Sequence, residues 1–125
     1  MIVTVFRSRL MPGMRDEYVA LANRMSELAA TMPGYISHKG FFADDGERVT
    51  VVEFESEEGM RAWRTHPEHI QAQRKGREIY YAEYHLQVCD LVRASSFKRG
   101  GEPSQSKASA AEASAGSAQE MGKTF

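Results

Sequence analysis

The chain has 125 residues, a formal net charge of −1 and an isoelectric point of about 6.4. This length suits one domain, and the near-neutral charge gives no sign of a surface for nucleic acid or anionic membranes. No apolar run approaches the roughly 20 residues that cross a bilayer. The single cysteine, Cys89, excludes an internal disulfide framework, and the N-terminus lacks the order of a signal peptide, so we expect a cytoplasmic protein.

The first half of the chain predicts a strand, a helix and a hairpin. β-Branched and aromatic residues at 2–9 are typical of a strand. Apolar residues recur at helical spacing over 14–32, and Pro33-Gly34 ends that helix. Strands follow at 35–43 and 48–54. The loop between them contains Asp45-Gly46, which supplies the positive φ angles of a tight turn.

Two short helices follow the third strand. Ser56 stands before two glutamates, which is typical of a helix start. Met60 and Trp63 lie three residues apart and so share one helical face. The sequence at 65–67 breaks this helix, and Pro67 suits the first position of a second helix that continues to about residue 77. We interpret His66 as the cap of that second helix.

A long strand is predicted at 80–93, beginning with Tyr80 and Tyr81. Alternation places Tyr80, Tyr84, Leu86 and Val88 on one face, apolar enough to be buried against helices. The element order is therefore β-α-β-β-α-β, an α+β ferredoxin-like fold with an antiparallel sheet. Because helices cover one face of the sheet, we expect a homodimer that covers the other.

The chain divides near residue 95. Residues 1–95 hold the predicted domain. Residues 96–125 are rich in Ser, Ala and Gly, and such a segment buries too little apolar surface to offset the entropy of ordering. We therefore predict a disordered tail for residues 96–125.

Several short motifs together carry a resemblance to a known family. They are Pro33-Gly34-Tyr35, Asp45-Gly46-Glu47-Arg48, the acidic run from Glu53 to Glu58, Trp63, and His66-Pro67-Glu68-His69. In this order they resemble the antibiotic biosynthesis monooxygenase (ABM) domain over roughly residues 1–95. The resemblance implies a dimeric α/β barrel with a pocket between sheet and helices in each subunit. It also implies a small-molecule substrate and O₂, with no cofactor and no metal in the oxygenases of the family.

Cofactor-free oxygenation needs a dry apolar site, one base and a donor for a developing oxyanion. Trp63 resembles the pocket tryptophan of the family's oxygenases, as a ring wall and possible N–H donor, although it also suits a core anchor bonded to backbone. His69, six residues further on, is the first candidate base and His38 the second, because imidazole accepts a proton near neutral pH. The expected pocket wall comprises Phe6, Phe54, Met60, Trp63, Tyr80 and Tyr81.

Four alternatives compete with this interpretation. A metal site at His66 and His69 lacks an evident third ligand. Haem degraders resemble one another in a histidine ten residues after the tryptophan and an asparagine on strand one, whereas this chain has Gln73 and Phe6 there. The basic run at 74–77 suits a solvated helix end or a guide for an anionic substrate. Finally, the domain could bind a small molecule, or serve in stress metabolism, without catalysis.

Overall fold

The computed structural model describes residues 1–100, in which strands and helices follow the predicted order. The elements are β1 (Ile2–Leu10), α1 (Arg15–Ala30), β2 (Tyr35–Phe42), β3 (Arg48–Phe54), α2 (Glu57–Arg64), α3 (Pro67–Lys75) and β4 (Tyr81–Asp90). A π-helical segment, Gly76–Tyr80, joins α3 to β4. Among these helices none has the length and apolar character needed to cross a membrane. The predicted tail falls outside the described residues from position 101 onward.

The strands form one antiparallel sheet in the order β2-β3-β1-β4. This arrangement, with the helices on one side, confirms the predicted α+β ferredoxin-like fold. Ile2, Thr4 and Phe6 of β1 lie opposite Phe54, Val52 and Thr50 of β3. Since alternate residues of a strand share a face, these side chains form the surface that meets the helices.

The main core lies between this surface and the helices. It is built from Ile2, Met25, Leu28, Ala29, Val52, Phe54, Met60 and Trp63. The predicted shared face of Met60 and Trp63 is confirmed, because both are buried. Gly34 at the end of α1 and Gly46 in the β2–β3 turn both have positive φ angles, +79° and +92°, which glycine adopts without steric cost.

The predicted capping residues are confirmed for the start of α3 and only in part for the start of α2. The His66 Nδ1 atom accepts a hydrogen bond from the Glu68 backbone N–H at 3.1 Å, and Pro67 takes the first helical turn, as predicted. Ser56 occupies the cap position of α2, but its hydroxyl makes no capping hydrogen bond. The start of α2 therefore depends on Glu57 and Glu58 in its first turn.

The prediction for the last strand was wrong in three respects. Tyr80 belongs to the π-helical segment, so the strand begins at Tyr81. Its pairing with β1 shifts register between Arg9 and Leu10, which brings Tyr81 to the helix-facing side, where alternation did not place it. The predicted burial of the apolar face also fails, since Leu86 and Val88 are 55% and 57% exposed.

Candidate active site

A cavity of about 450 Å³ lies between the sheet and the helices. This volume is within the range of small-molecule sites. All four strands and all three α-helices supply part of its wall. Three of the β4 side chains that line it, Tyr84, Leu86 and Val88, are exposed, so the cavity opens to solvent along β4.

Trp63 stands between two histidines at one side of the cavity. Its ring centroid is 5.6 Å from that of His38 and 4.3 Å from that of His69, and both imidazoles meet it edge-on. The indole N–H donates to the Met25 backbone oxygen at 3.1 Å. The indole N–H, which the sequence suggested as a donor to substrate, is therefore already hydrogen-bonded within the protein. Trp63 presents only its apolar ring to the cavity.

The proton on the His69 ring can be located from its neighbours. The Gln73 side-chain nitrogen lies 2.7 Å from His69 Nδ1 and 3.0 Å from the Arg64 backbone oxygen. A backbone oxygen only accepts, so Gln73 donates one hydrogen to it and the other to Nδ1. The neutral imidazole of His69 consequently carries its own proton on Nε2, where it acts as a donor.

Both imidazoles are neutral at physiological pH. Burial, and then the charge of Arg48, lowers the pKa of His38 to about 4. Burial, and then the charge of His66, lowers the pKa of His69 to about 4. Desolvation penalises the charged form of histidine, which explains the common direction. Each neutral ring thus has one nitrogen with a lone pair and one N–H.

We call the group of Phe6, Tyr18, Tyr81 and Tyr84 the tyrosine end of the cavity. The Tyr81 hydroxyl donates to that of Tyr18 at 3.4 Å, and the Phe6 ring centroid lies 5.3 Å from Tyr81 and 5.4 Å from Tyr84. Burial, and then Tyr18, raises the pKa of Tyr81 well above its ordinary value. Tyr81 therefore remains a neutral phenol that is able to donate a hydrogen bond.

The structure places some of the predicted wall residues at the cavity and removes others. Phe6, Met60, Trp63 and Tyr81 line it, as do His38 and His69. Phe54 does not, because it lies fully buried beneath Trp63, with ring centroids 6.1 Å apart. Tyr80 does not either, since it is buried against Tyr18 at the end of the π-helical segment.

The sequence interpretation overlooked Tyr18 and Gln73, and it placed Tyr84 in the core. Tyr18 follows the period of α1 and reads as core from sequence. In the sequence, Gln73 indicates only that a haem-ligand histidine is missing at that position. In the structure, its side chain orients His69. Within residues 1–100, no three histidine, cysteine or acidic side chains converge as a metal site would require.

The chain was compared with protein families and with individual known proteins. The sequence profile described as "Antibiotic biosynthesis monooxygenase" matches residues 1–75. The uncharacterized protein YqjZ of Bacillus subtilis is 35% identical over 81 residues, which make up 65% of this chain and 71% of that protein. The jasmonate monooxygenase ABM of Pyricularia oryzae is 29% identical over 104 residues, or 79% of this chain and 48% of that protein, so the chain spans about half of its length.

Solved structures share the fold. The crystal structure of SnoaB, a cofactor-independent oxygenase from Streptomyces nogalater, superposes with a TM-score of 0.65 at 15% identity and covers 74% of this chain and 94% of that chain. At this identity the likeness concerns the fold alone. Together with the profile that matches residues 1–75, it leads to one conclusion: this chain belongs to the antibiotic biosynthesis monooxygenase family.

Proposed function

We propose that this chain is a cofactor-independent monooxygenase that oxidises a small aromatic, quinol or polyketide-like substrate with O₂. The observation that carries the proposal is the position of Trp63 between two neutral imidazoles in the wall of a cavity of about 450 Å³. The relatives described as a jasmonate monooxygenase and a cofactor-independent oxygenase support the same reaction class.

The proposed reaction requires only a base, an apolar pocket, O₂ and the substrate's own electrons. The base removes a proton from an electron-rich anthrone or hydroquinone. For an anthrone, the resulting anion transfers one electron to O₂, and the two radicals combine to a hydroperoxide. Loss of water then gives a quinone, so one oxygen atom enters the product and the other leaves with two hydrogens from the substrate. For a hydroquinone, the anion likewise transfers one electron to O₂, the two radicals combine at a ring carbon, and loss of water from the hydroperoxide gives a hydroxyquinone.

The geometry favours a division of roles between the two histidines. The Nδ1 lone pair of His69 already accepts from Gln73, so its remaining group, Nε2–H, suits stabilisation of a developing oxyanion. His38, in the cavity wall beside Trp63, is then the better candidate for the base. This reverses the order that spacing along the sequence had favoured. Trp63 serves as the ring wall against which an aromatic substrate packs.

A binding protein without catalysis is the second candidate. The specific observation in its favour is that burial lowers the pKa of both His38 and His69 to about 4, which makes them weak proton acceptors in the empty cavity. A bound substrate anion would raise these values, since an opposite charge nearby favours the protonated imidazole. Turnover measurements separate the two candidates.

The test is oxygen consumption by the purified protein with a panel of anthrones and hydroquinones. His38→Gln should lower kcat by about 10²–10⁴, the usual effect of losing a positioned base. His69→Gln should also lower kcat. His85→Gln serves as the matched control, because His85 is an exposed residue outside the cavity. Binding of these compounds without any oxygen uptake would establish the binding protein instead.

We also propose that two copies pair through the sheet face opposite the helices. In β1 and β3 this face carries Val3, Val5, Val49 and Val51, which are only partly buried. A flat apolar sheet surface is more stable when a second sheet covers it, and a C₂ pair presents the same surface twice.

A further inference from the structure

A buried arginine behind the tyrosine end has no anionic partner among residues 1–100. Arg48 opens β3 and is only 3% exposed. Its Nε and Nη1 atoms make no hydrogen bond within residues 1–100, and the same holds for Oγ of Ser8, directly opposite in β1. Buried polar atoms are nearly always hydrogen-bonded in folded proteins. Three such atoms side by side therefore require an explanation.

The fold makes room for this cation. A Cβ atom on Gly40 would run into the Arg48 guanidinium, so the absence of a side chain at Gly40 leaves the space that the guanidinium fills. The ring of Phe42 lies between two cations, 4.8 Å from Arg48 Cζ and 3.9 Å from Arg15 Cζ. Among residues 1–100 no carboxylate forms an ion pair with Arg48.

The cation lies close to the cavity. Arg48 Cζ is 5.6 Å from the ring centroid of Tyr18, which lines the cavity with Tyr81. After burial, its charge contributes to the lowered pKa of His38, and it partly offsets the increase that burial causes in the pKa of Tyr81. Arginine keeps its charge in proteins, so the interior beside the tyrosine end is positive.

The charges that face the cavity itself agree with this sign. Arg64 and Arg77 are exposed lining residues, and Glu57 is the acidic side chain among the lining residues that the structure describes. Two cations at the surface and one beneath the tyrosines thus oppose one carboxylate. A cavity with this balance attracts an anionic ligand.

We infer that the tyrosine end of the cavity binds a carboxylate carried by the substrate, with the Tyr18 hydroxyl, which accepts from Tyr81, as the donor and Arg48 as the buried counter-charge. The aromatic ring of the ligand then extends toward Trp63. This inference rests on the proposed function only in that the cavity receives an aromatic ligand.

The test compares naphthoate with naphthamide, which differ in charge but hardly in shape. Isothermal titration calorimetry without any turnover should show that the wild-type protein binds naphthoate at least about tenfold more tightly, as expected for hydrogen bonds to a charged group. R48M should abolish this preference and leave naphthamide binding unchanged. R74M is the matched control, because Arg74 lies exposed on α3 outside the cavity lining.

The stability of the variant provides a second readout. Replacing an unpaired buried charge by an apolar residue of similar length is neutral or stabilising, so the Tm of ligand-free R48M should not fall. R48K keeps the positive charge but not the planar guanidinium, so it should retain part of the preference for naphthoate. If R48M does not fold, R48K provides the deciding comparison. Equal affinity of the wild-type protein for the two ligands, binding of neither, or an undiminished preference in R48M would overturn the inference. Failure to consume oxygen would leave it standing.

Discussion

The imidazole of His69 stands edge-on to the indole of Trp63, with ring centroids 4.3 Å apart and planes at 70°. The indole is itself fixed from α1, because its N–H donates to the Met25 backbone oxygen. The imidazole is fixed from within α3 by Gln73. One wall of the cavity is therefore preorganised by contacts that do not involve a ligand, which is the arrangement that favours both binding and catalysis.

Trp63→Phe should destabilise the fold and weaken ligand binding together. The buried Met25 oxygen loses its donor and the smaller ring leaves a void, so we expect a loss of about 1–4 kcal/mol in the free energy of unfolding. Urea denaturation measures this loss. Unchanged stability would show that the bond to Met25 contributes nothing.

Gln73→Leu should change the protonation pattern of His69. In the wild-type protein, nitrogen-15 NMR at neutral pH should report a proton on Nε2 and a bare Nδ1. Without the Gln73 donor, both neutral forms should coexist, since nothing then fixes the tautomer. Gln71→Leu, at an exposed position of the same helix, is the control. A proton found on Nδ1 in the wild-type protein would refute the assignment.

The free energy of unfolding should fall on acidification, because the imidazoles of His38 and His69 take up protons more readily in the unfolded chain. The folded-state pKa of His38 and of His69, each about 4, lies below the unfolded value of 6.5. Their contribution is therefore complete above pH 6.5 and is lost as the pH falls toward 4. In that window each contributes a slope of up to roughly 1.4 kcal/mol per pH unit. Urea denaturation at pH 7 and pH 5 should show a smaller difference in the double variant His38→Gln, His69→Gln than in the wild-type protein. An equal difference would contradict the two lowered values.

Gly76→Ala should disturb the tyrosine end. A Cβ atom at Gly76 would run into the ring of Tyr81, so the ring must move or the π-helical segment must adjust. We expect a destabilisation of about 1–3 kcal/mol, typical of overpacking. Tyr81→Leu in the same chain should relieve part of it, and a double-mutant cycle on thermal unfolding measures the coupling. Strict additivity would mean that the two residues do not compete for space.

The proposed pairing of two copies predicts a dimer at micromolar concentration. Val5→Glu, on the sheet face opposite the helices, should shift the mass from light scattering to that of a monomer, because a charge then enters an apolar interface. Ala20→Glu, exposed on α1, should leave it unchanged. A monomeric mass for the wild-type protein in the same measurement would refute the proposed pairing.

The sequence predicted best what local chemistry determines. Pro67 and His66 predicted the start of α3, and Gly46 predicted the β2–β3 turn, because a cap or a positive φ angle depends on a few adjacent residues. The element order followed from periodicity. The position of Tyr81 was missed, because the π-helical segment and the register shift change the alternation by one residue.

The candidate site was predicted less well, for a physical reason. Trp63, His69 and His38 come together at the cavity, but which histidine keeps a lone pair depends on Gln73, whose contact forms only after α3 is built. Arg48 shows the same limit. As a residue beside a turn it is typical of a surface cation. Its burial follows only from its pairing with Ser8 and Phe42 and from the space that Gly40 leaves for the guanidinium.

The opening of the cavity along β4 separates two kinds of evolutionary change. On the wall of Met25, Met60 and Trp63, a substitution alters both the ligand site and the core, so selection for folding restrains it. Leu86 and Val88 also border the cavity, yet they are largely exposed, and their replacement removes little buried surface. Substitutions in this single strand should therefore alter the shape of the cavity opening at little cost to the stability of the domain.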